Sequence, residues 1–137
     1  MKDCCLVDIF ALIVSFLALW CSTRKNKVEN LINISESINN RKQKCYIAYN
    51  EYNENQNKTT QTVLEGSVIE YGNSFEVACY LYMKNYIKRD DFKKLYYDVI
   101  KGFVNGKEFG SVLNNMTEDD KKNISYEYIG KFLQDAK

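Results

Sequence analysis

Apolar residues fill one stretch, "CCLVDIFALIVSFLALWC" at residues 4–21, and beyond it recur mostly three and four positions apart. Ten of the residues from Leu6 to Leu19 are Leu, Val, Ile or Phe, and no polar stripe runs from Ile9 to Leu19. A helix of that length rises about 27 Å, close to the roughly 30 Å of a bilayer's hydrocarbon core. Inserting those apolar side chains is worth about 3 to 6 kcal/mol, against at most about 3 kcal/mol for Asp8. A cleaved signal would need a basic start and a small-residue cleavage site, whereas this stretch begins "MKD" and ends "LALWC". The pattern therefore predicts an uncleaved transmembrane anchor. Trp20 stands at its interfacial end, and Arg24, Lys25 and Lys27 follow at once. The positive-inside rule then puts the N-terminus outside and the C-terminal part in the cytoplasm.

Downstream, Val28, Leu31, Ile32 and Ile38 carry the anchor helix to about Asn39, and "NNRK" predicts a cap and a fresh helix from Arg41 to Tyr52, with Cys45, Ala48, Tyr49 and Tyr52 on one side. "NENQNKTT" reads as a loop. Leu64, Val68, Tyr71, Phe75, Ala78, Cys79, Tyr82 and Tyr86 form the longest periodic stripe and predict the central helix. Gly66 and Gly72 lie inside it at about 1 kcal/mol each relative to Ala. They mark either a close helix approach or tolerated exposed positions. "KRDDF" breaks the period, and Asp90 is placed to cap a helix whose Phe92, Leu95, Tyr96, Val99, Ile100 and Phe103 share a stripe up to Gly106. A short apolar piece, Phe109 to Leu113, precedes a capping-box-like pair, Thr117 and Asp120. Ile124, Tyr128, Ile129, Phe132 and Leu133 supply the last apolar face. The predicted fold class is all-α: a single N-terminal transmembrane helix followed by a cytosolic bundle of four to five helices. Its parts are a transmembrane anchor (1–22), a juxtamembrane helix (23–40) and the bundle (41–137).

Composition narrows the chemistry. The chain has 137 residues, so about 115 remain for one compact domain once the anchor is set aside. Nineteen Lys and Arg against 18 Asp and Glu give no global field for nucleic acid. Histidine and proline are absent, which removes the usual general base and the commonest zinc ligand, and with them the strongest helix breaker. Lys outnumbers Arg by 16 to 3, an AT-rich coding bias that also accounts for Asn-x-Ser/Thr triplets at Asn33, Asn57, Asn115 and Asn123. Cys45 and Cys79 fall on apolar faces and read as small core residues in a reducing cytosol. Most of the eleven tyrosines lie on apolar stripes, without the interleaved basic residues of a nucleic-acid groove. Glu65, Glu70 and Asp98 make no paired acid/base site, and "GFVNGKEFG" lacks the spacing of a phosphate loop. No catalytic residue, metal or cofactor is expected.

The block "VIEYGNSFEVACYLYMKNYIKRDDFKKLYYDVIKGFV", Val68 to Val104, resembles the core of a bacterial membrane-anchored helical family catalogued as domain of unknown function 4760. The likeness rests on Asn73, Phe75 and Glu76 on a central helix and Asp90 opening the next, with Lys88 and Arg89 departing from the family's pattern. It implies the layout of short membrane helix, basic flank and small helical domain, and it implies no activity.

Four sets of residues are candidates for function. Asp8, the ionisable group inside the span, and Ser15 seven positions on share a face that would line a pore or meet another subunit, although simple interfacial exposure also explains Asp8. Asn73 with Glu76 reads as a polar pair fixing helix register or meeting a partner. Arg24, Lys25 and Lys27 set topology and can attract anionic lipid. Trp20 completes the membrane flank. The predicted function is a single-pass inner-membrane protein whose cytosolic bundle is a protein-interaction module, with lipid and either further copies of itself or another protein as partners and no nucleic acid. The rival expectation is an oligomeric effector that forms a pore or disrupts the membrane, for example in antiphage defence.

Overall fold

The computed structural model describes residues 2–121 and 124–137, and the side chains of residues 14–119, 121 and 124–137. Among these the chain is all-helical: α1 (Lys2–Glu54), α2 (Lys58–Met83), α3 (Arg89–Val104), the short α4 (Gly110–Asn115) and α5 (Glu118–Lys121), and α6 (Glu127–Asp135). α2 is the central helix, with α1, α3 and α6 packed around it.

α1 is one helix of 53 residues, about 80 Å long at 1.5 Å per residue. The break expected at Asn39 and Asn40 does not occur. The buried residues Leu31, Ile34, Ile38, Cys45 and Ala48 explain why, since they keep one helical register straight through the asparagines. A new helix would have reset that phase. Two asparagines cost well under 1 kcal/mol each in a helix interior, less than the packing of this stripe restores.

The expected loop at residues 53–60 shrinks to Asn55–Asn57. Asn57 Oδ1 accepts the Thr60 backbone N–H at 3.0 Å while Thr60 Oγ1 accepts from the Asn57 N–H at 3.3 Å, a reciprocal cap that starts α2 six residues before Leu64. α2 then runs antiparallel to the second half of α1, tied by Arg41 to Glu70 at 2.6 Å and by the Cys45 thiol donating to the Ser67 carbonyl at 3.2 Å. Leu64, Val68, Tyr71, Phe75, Ala78, Cys79 and Tyr82 are buried as the stripe predicts. Tyr86 lies past the helix end and is exposed.

Both α2 and α3 stop in the same way. The N–H of Tyr86 reaches back to the Leu81 carbonyl and that of Asn85 to Tyr82, with Asn85 in the left-handed region at φ 58°. Lys107 and Gly106 repeat this on Gly102 and Phe103, with Gly106 at φ 77°. Glycine is the natural residue there, since a Cβ disfavours that conformation. At its other end α3 begins after Lys88, which makes no side-chain cap, so Asp90 lies inside the first turn with Asp91 instead of capping it. Phe92, Ile100 and Phe103 face the core, but Leu95 and Val99 of the predicted stripe face outward. α3 is rotated so that Tyr97, rather than Leu95, meets Phe132.

Aromatic rings fill the centre in two groups. Tyr71, Phe75, Phe103 and Phe109 join α2, α3 and the start of α4, and Tyr82, Phe92 and Phe132 join α2, α3 and α6, mostly edge to face with centroids about 5 to 6 Å apart. α6 runs parallel to α2, held near its start by Glu76 and at its end by Tyr82.

Candidate functional site

α1 reaches well past the bundle. Its first buried residue in the described set is Leu31, so residues 2–30 extend as a stem of about 43 Å. Val14, Phe16, Leu17, Leu19 and Trp20 are all exposed on it, Phe16 at 70% and Leu19 at 67%. Water-exposed apolar side chains all round a helix mark a surface that something else covers. A helix is suited to lipid because it satisfies its own backbone groups.

Immediately toward the bundle the chemistry changes. The Arg24 guanidinium lies 5.7 Å from the centre of the Trp20 ring, a cation–π contact that joins the aromatic and basic parts of the flank. Lys25 pairs with Glu29 at 3.6 Å, and Lys27 is half-buried. Asp8 lies outside the residues whose side chains are described, while Ser15 is exposed on the stem. Of the apolar run, only residues 14–21 have described side chains, and among the described residues no helix is long and apolar enough to cross a membrane.

The second candidate pair is not brought together. Asn73 is exposed beside the Arg41–Glu70 ion pair, on the groove between α1 and α2. Glu76 is half-buried on another side of α2, where its two carboxylate oxygens accept the backbone N–H groups of Tyr128 and Ile129 at 2.8 and 2.9 Å. Those N–H groups belong to the first turn of α6, whose own N-cap residue, Tyr126, supplies no side-chain bond. Glu76 therefore caps α6 from a neighbouring helix and places a negative charge at its positive end.

Glu70, isolated in the sequence, is the partner of Arg41, and Glu108 reaches Lys42 at 3.3 Å. A three-residue latch closes the C-terminus: Asp135 accepts the Tyr82 hydroxyl at 2.7 Å and pairs with Arg89 at 2.5 Å, and Arg89 stacks 4.4 Å from the centre of the Tyr82 ring. The Tyr82 bond, followed by that of Arg89, holds the Asp135 carboxyl below its ordinary range. Residues 46 to 53 positions apart in the chain make these bonds, so no local spacing announces them. Arg89, which departs from the resembled pattern, has its structural role here.

Neither of the two buried thiols is activated as a nucleophile. Burial pushes the Cys45 thiol up to about 11 and Cys79 higher still, keeping both protonated at neutral pH. Tyr126 is raised to about 12 by burial, and its hydroxyl is enclosed without a hydrogen-bond partner. Among the described residues no cluster of His, Cys, Asp or Glu could hold a metal. No family model, curated protein or solved structure matches the chain.

Proposed function

We propose that the chain is a single-pass inner-membrane protein, anchored by residues 4–21 with its N-terminus outside, whose cytosolic helical bundle is a protein-interaction module and carries out no catalysis. The observation that carries this reading is the stem: exposed apolar side chains on a helix continuous with the bundle's own core helix, ending in Trp20 and three basic residues. Partners are lipid along the stem and either further copies of the chain or a second protein on the bundle. Exposed Leu95 and Val99 on α3 are apolar positions such a partner could cover.

Thiol labelling tests the orientation. Cys45 and Cys79 are fully buried and silent, so with Cys4, Cys5 and Cys21 changed to Ser a single probe site can be placed at exposed Thr59 by Thr59→Cys. An impermeant maleimide is expected to react only after the cells are opened. Labelling of intact cells would contradict the proposed topology.

The continuity of α1 favours a second reading, the pore-forming or membrane-disrupting effector. With no break between stem and bundle, a displacement of the bundle tilts the stem directly. Dye leakage that needs residues 1–21 and disappears with Asp8→Leu would support it, whereas intact vesicles at every protein density would leave the interaction module.

A further inference from the structure

The α2–α3 connection, residues 84–88, lies at the end of the bundle from which the stem leaves. Asn30 Nδ2 donates to the Tyr86 carbonyl at 2.9 Å, which fixes the connection at the level of residue 30 on α1. Leu31 and Ile87, on either side of this bond, are both buried in the core cluster. Tyr86 is 54% exposed, Lys84 is exposed, and the Lys88 ammonium group is partly so.

Its height follows from helix geometry. Asn30 is nine residues past Cys21, the end of the apolar run, hence about 13 Å above the hydrocarbon edge, and the interfacial layer on each side is about 5 to 8 Å thick. The remaining gap is within reach of an extended lysine or a tyrosine ring. It is also comparable to the Debye length of about 8 Å at physiological salt.

The charges facing that gap are mainly positive. Arg24, Lys25 and Lys27 on the stem and Lys84, Lys88 and Arg89 on the connection and the start of α3 stand against Glu29, Asp90, Asp91 and Asp135. Three of the four acids already pair locally, Glu29 with Lys25, Asp91 with Lys88 and Asp135 with Arg89. Exposed pairs of this kind are weak and exchange partners readily. Arg24, Lys27 and Lys84 have no carboxylate partner among the described contacts.

We infer that residues 84–89 form a second membrane contact, docking on anionic lipid headgroups beside the basic flank of the stem and holding the bundle upright against the bilayer. This rests on the anchoring proposed above. The two contacts differ in kind: the stem inserts into any bilayer, while the connection needs negative lipid and weakens with salt, each basic group near the surface contributing about fivefold to partitioning.

The full chain is reconstituted in vesicles of phosphatidylcholine alone and of phosphatidylcholine with phosphatidylglycerol, each containing nitroxide-headgroup lipid. Trp20 is the chain's single tryptophan, so its quenching reports the stem, and a Trp20→Phe/Tyr86→Trp chain reports the connection. Trp20 is expected to be quenched in both vesicles. The tryptophan at 86 is expected to be quenched in the anionic vesicles alone. That quenching should be lost in about 1 M salt, where the Debye length is about 3 Å, and in a Lys84→Glu/Lys88→Glu chain whose helical circular dichroism is unchanged. Quenching of Trp20 with none at position 86 in anionic vesicles overturns the second contact and leaves the anchor standing. So does quenching at 86 that ignores lipid charge and salt. Absence of quenching at Trp20 itself overturns both.

Discussion

Gly72 and Tyr126 meet where α2 passes the start of α6, and their contact separates the two glycines of the central helix. A Cβ built on Gly72 would lie 2.0 Å from the Tyr126 hydroxyl oxygen and 3.1 Å from Phe103 Cε1, whereas one on Gly66 meets nothing within 4 Å. Close approach therefore explains Gly72, and exposure explains Gly66. Gly72→Ala is expected to cost about 1 to 3 kcal/mol by overpacking, and Gly66→Ala to stabilise by up to about 1 kcal/mol, as read from denaturant midpoints of the full chain in detergent. The enclosed Tyr126 hydroxyl has no partner, so Tyr126→Phe should raise stability by about 1 kcal/mol or more, but it should relieve only part of the Gly72→Ala penalty, because the ring Cζ still lies 2.7 Å from the added Cβ. Glu76→Ala removes the acceptor for two helix-end N–H groups and should cost about 1 to 2 kcal/mol, while Asn73→Ala should stay within about 0.5 kcal/mol. Asp135 gives the acid response its sign. Its carboxyl is depressed in the fold, so the latch contributes fully above the ordinary carboxylate value of about 4 and is lost as pH falls through the lower folded value. An acid unfolding series should show Asp135→Asn converging with the parent chain at the acid end and falling below it at neutral pH.

At the scale of elements, periodicity located the buried residues of α2 because a long helix packed on several sides repeats its stripe for many turns. In α1 the local capping signal at "NNRK" points to a break that the register of the buried residues overrides. The phase from Ile38 to Cys45, seven residues and so nearly two full turns, was the signal that the helix continues. Asn40→Pro discriminates between these alternatives. In one continuous helix it removes an interior hydrogen bond and costs about 3 kcal/mol or more, and spin labels on stem and bundle should show a broadened distance distribution; at a genuine cap both effects would be small. The site was legible to an unequal degree. The stem with Trp20, Arg24, Lys25 and Lys27 is a run of neighbours in sequence, and its exposure follows from composition. Glu76 was singled out, but its cap on α6 was hidden because Tyr128 and Ile129 are more than fifty residues away. The rotation of α3 that exposes Leu95 depends on where α6 lies, which a stripe on one helix does not contain.

Over the whole molecule, one helix links a compact aromatic core to an apolar stem, so under the proposed anchoring the position of the bundle relative to a bilayer is set by α1 and not by a flexible linker. On that proposal the coupling gives the basic face at the stem end its role, and it would let a partner bound on the bundle act on the stem. Its foundation is residence of residues 4–21 in lipid, and density-gradient flotation of vesicles after an alkaline wash reads this directly. The full chain is expected to rise with the lipid and a chain lacking residues 1–21 to stay in the load fraction. Recovery of the full chain in the washed soluble fraction, folded and unshortened, would contradict the anchor and everything built on it.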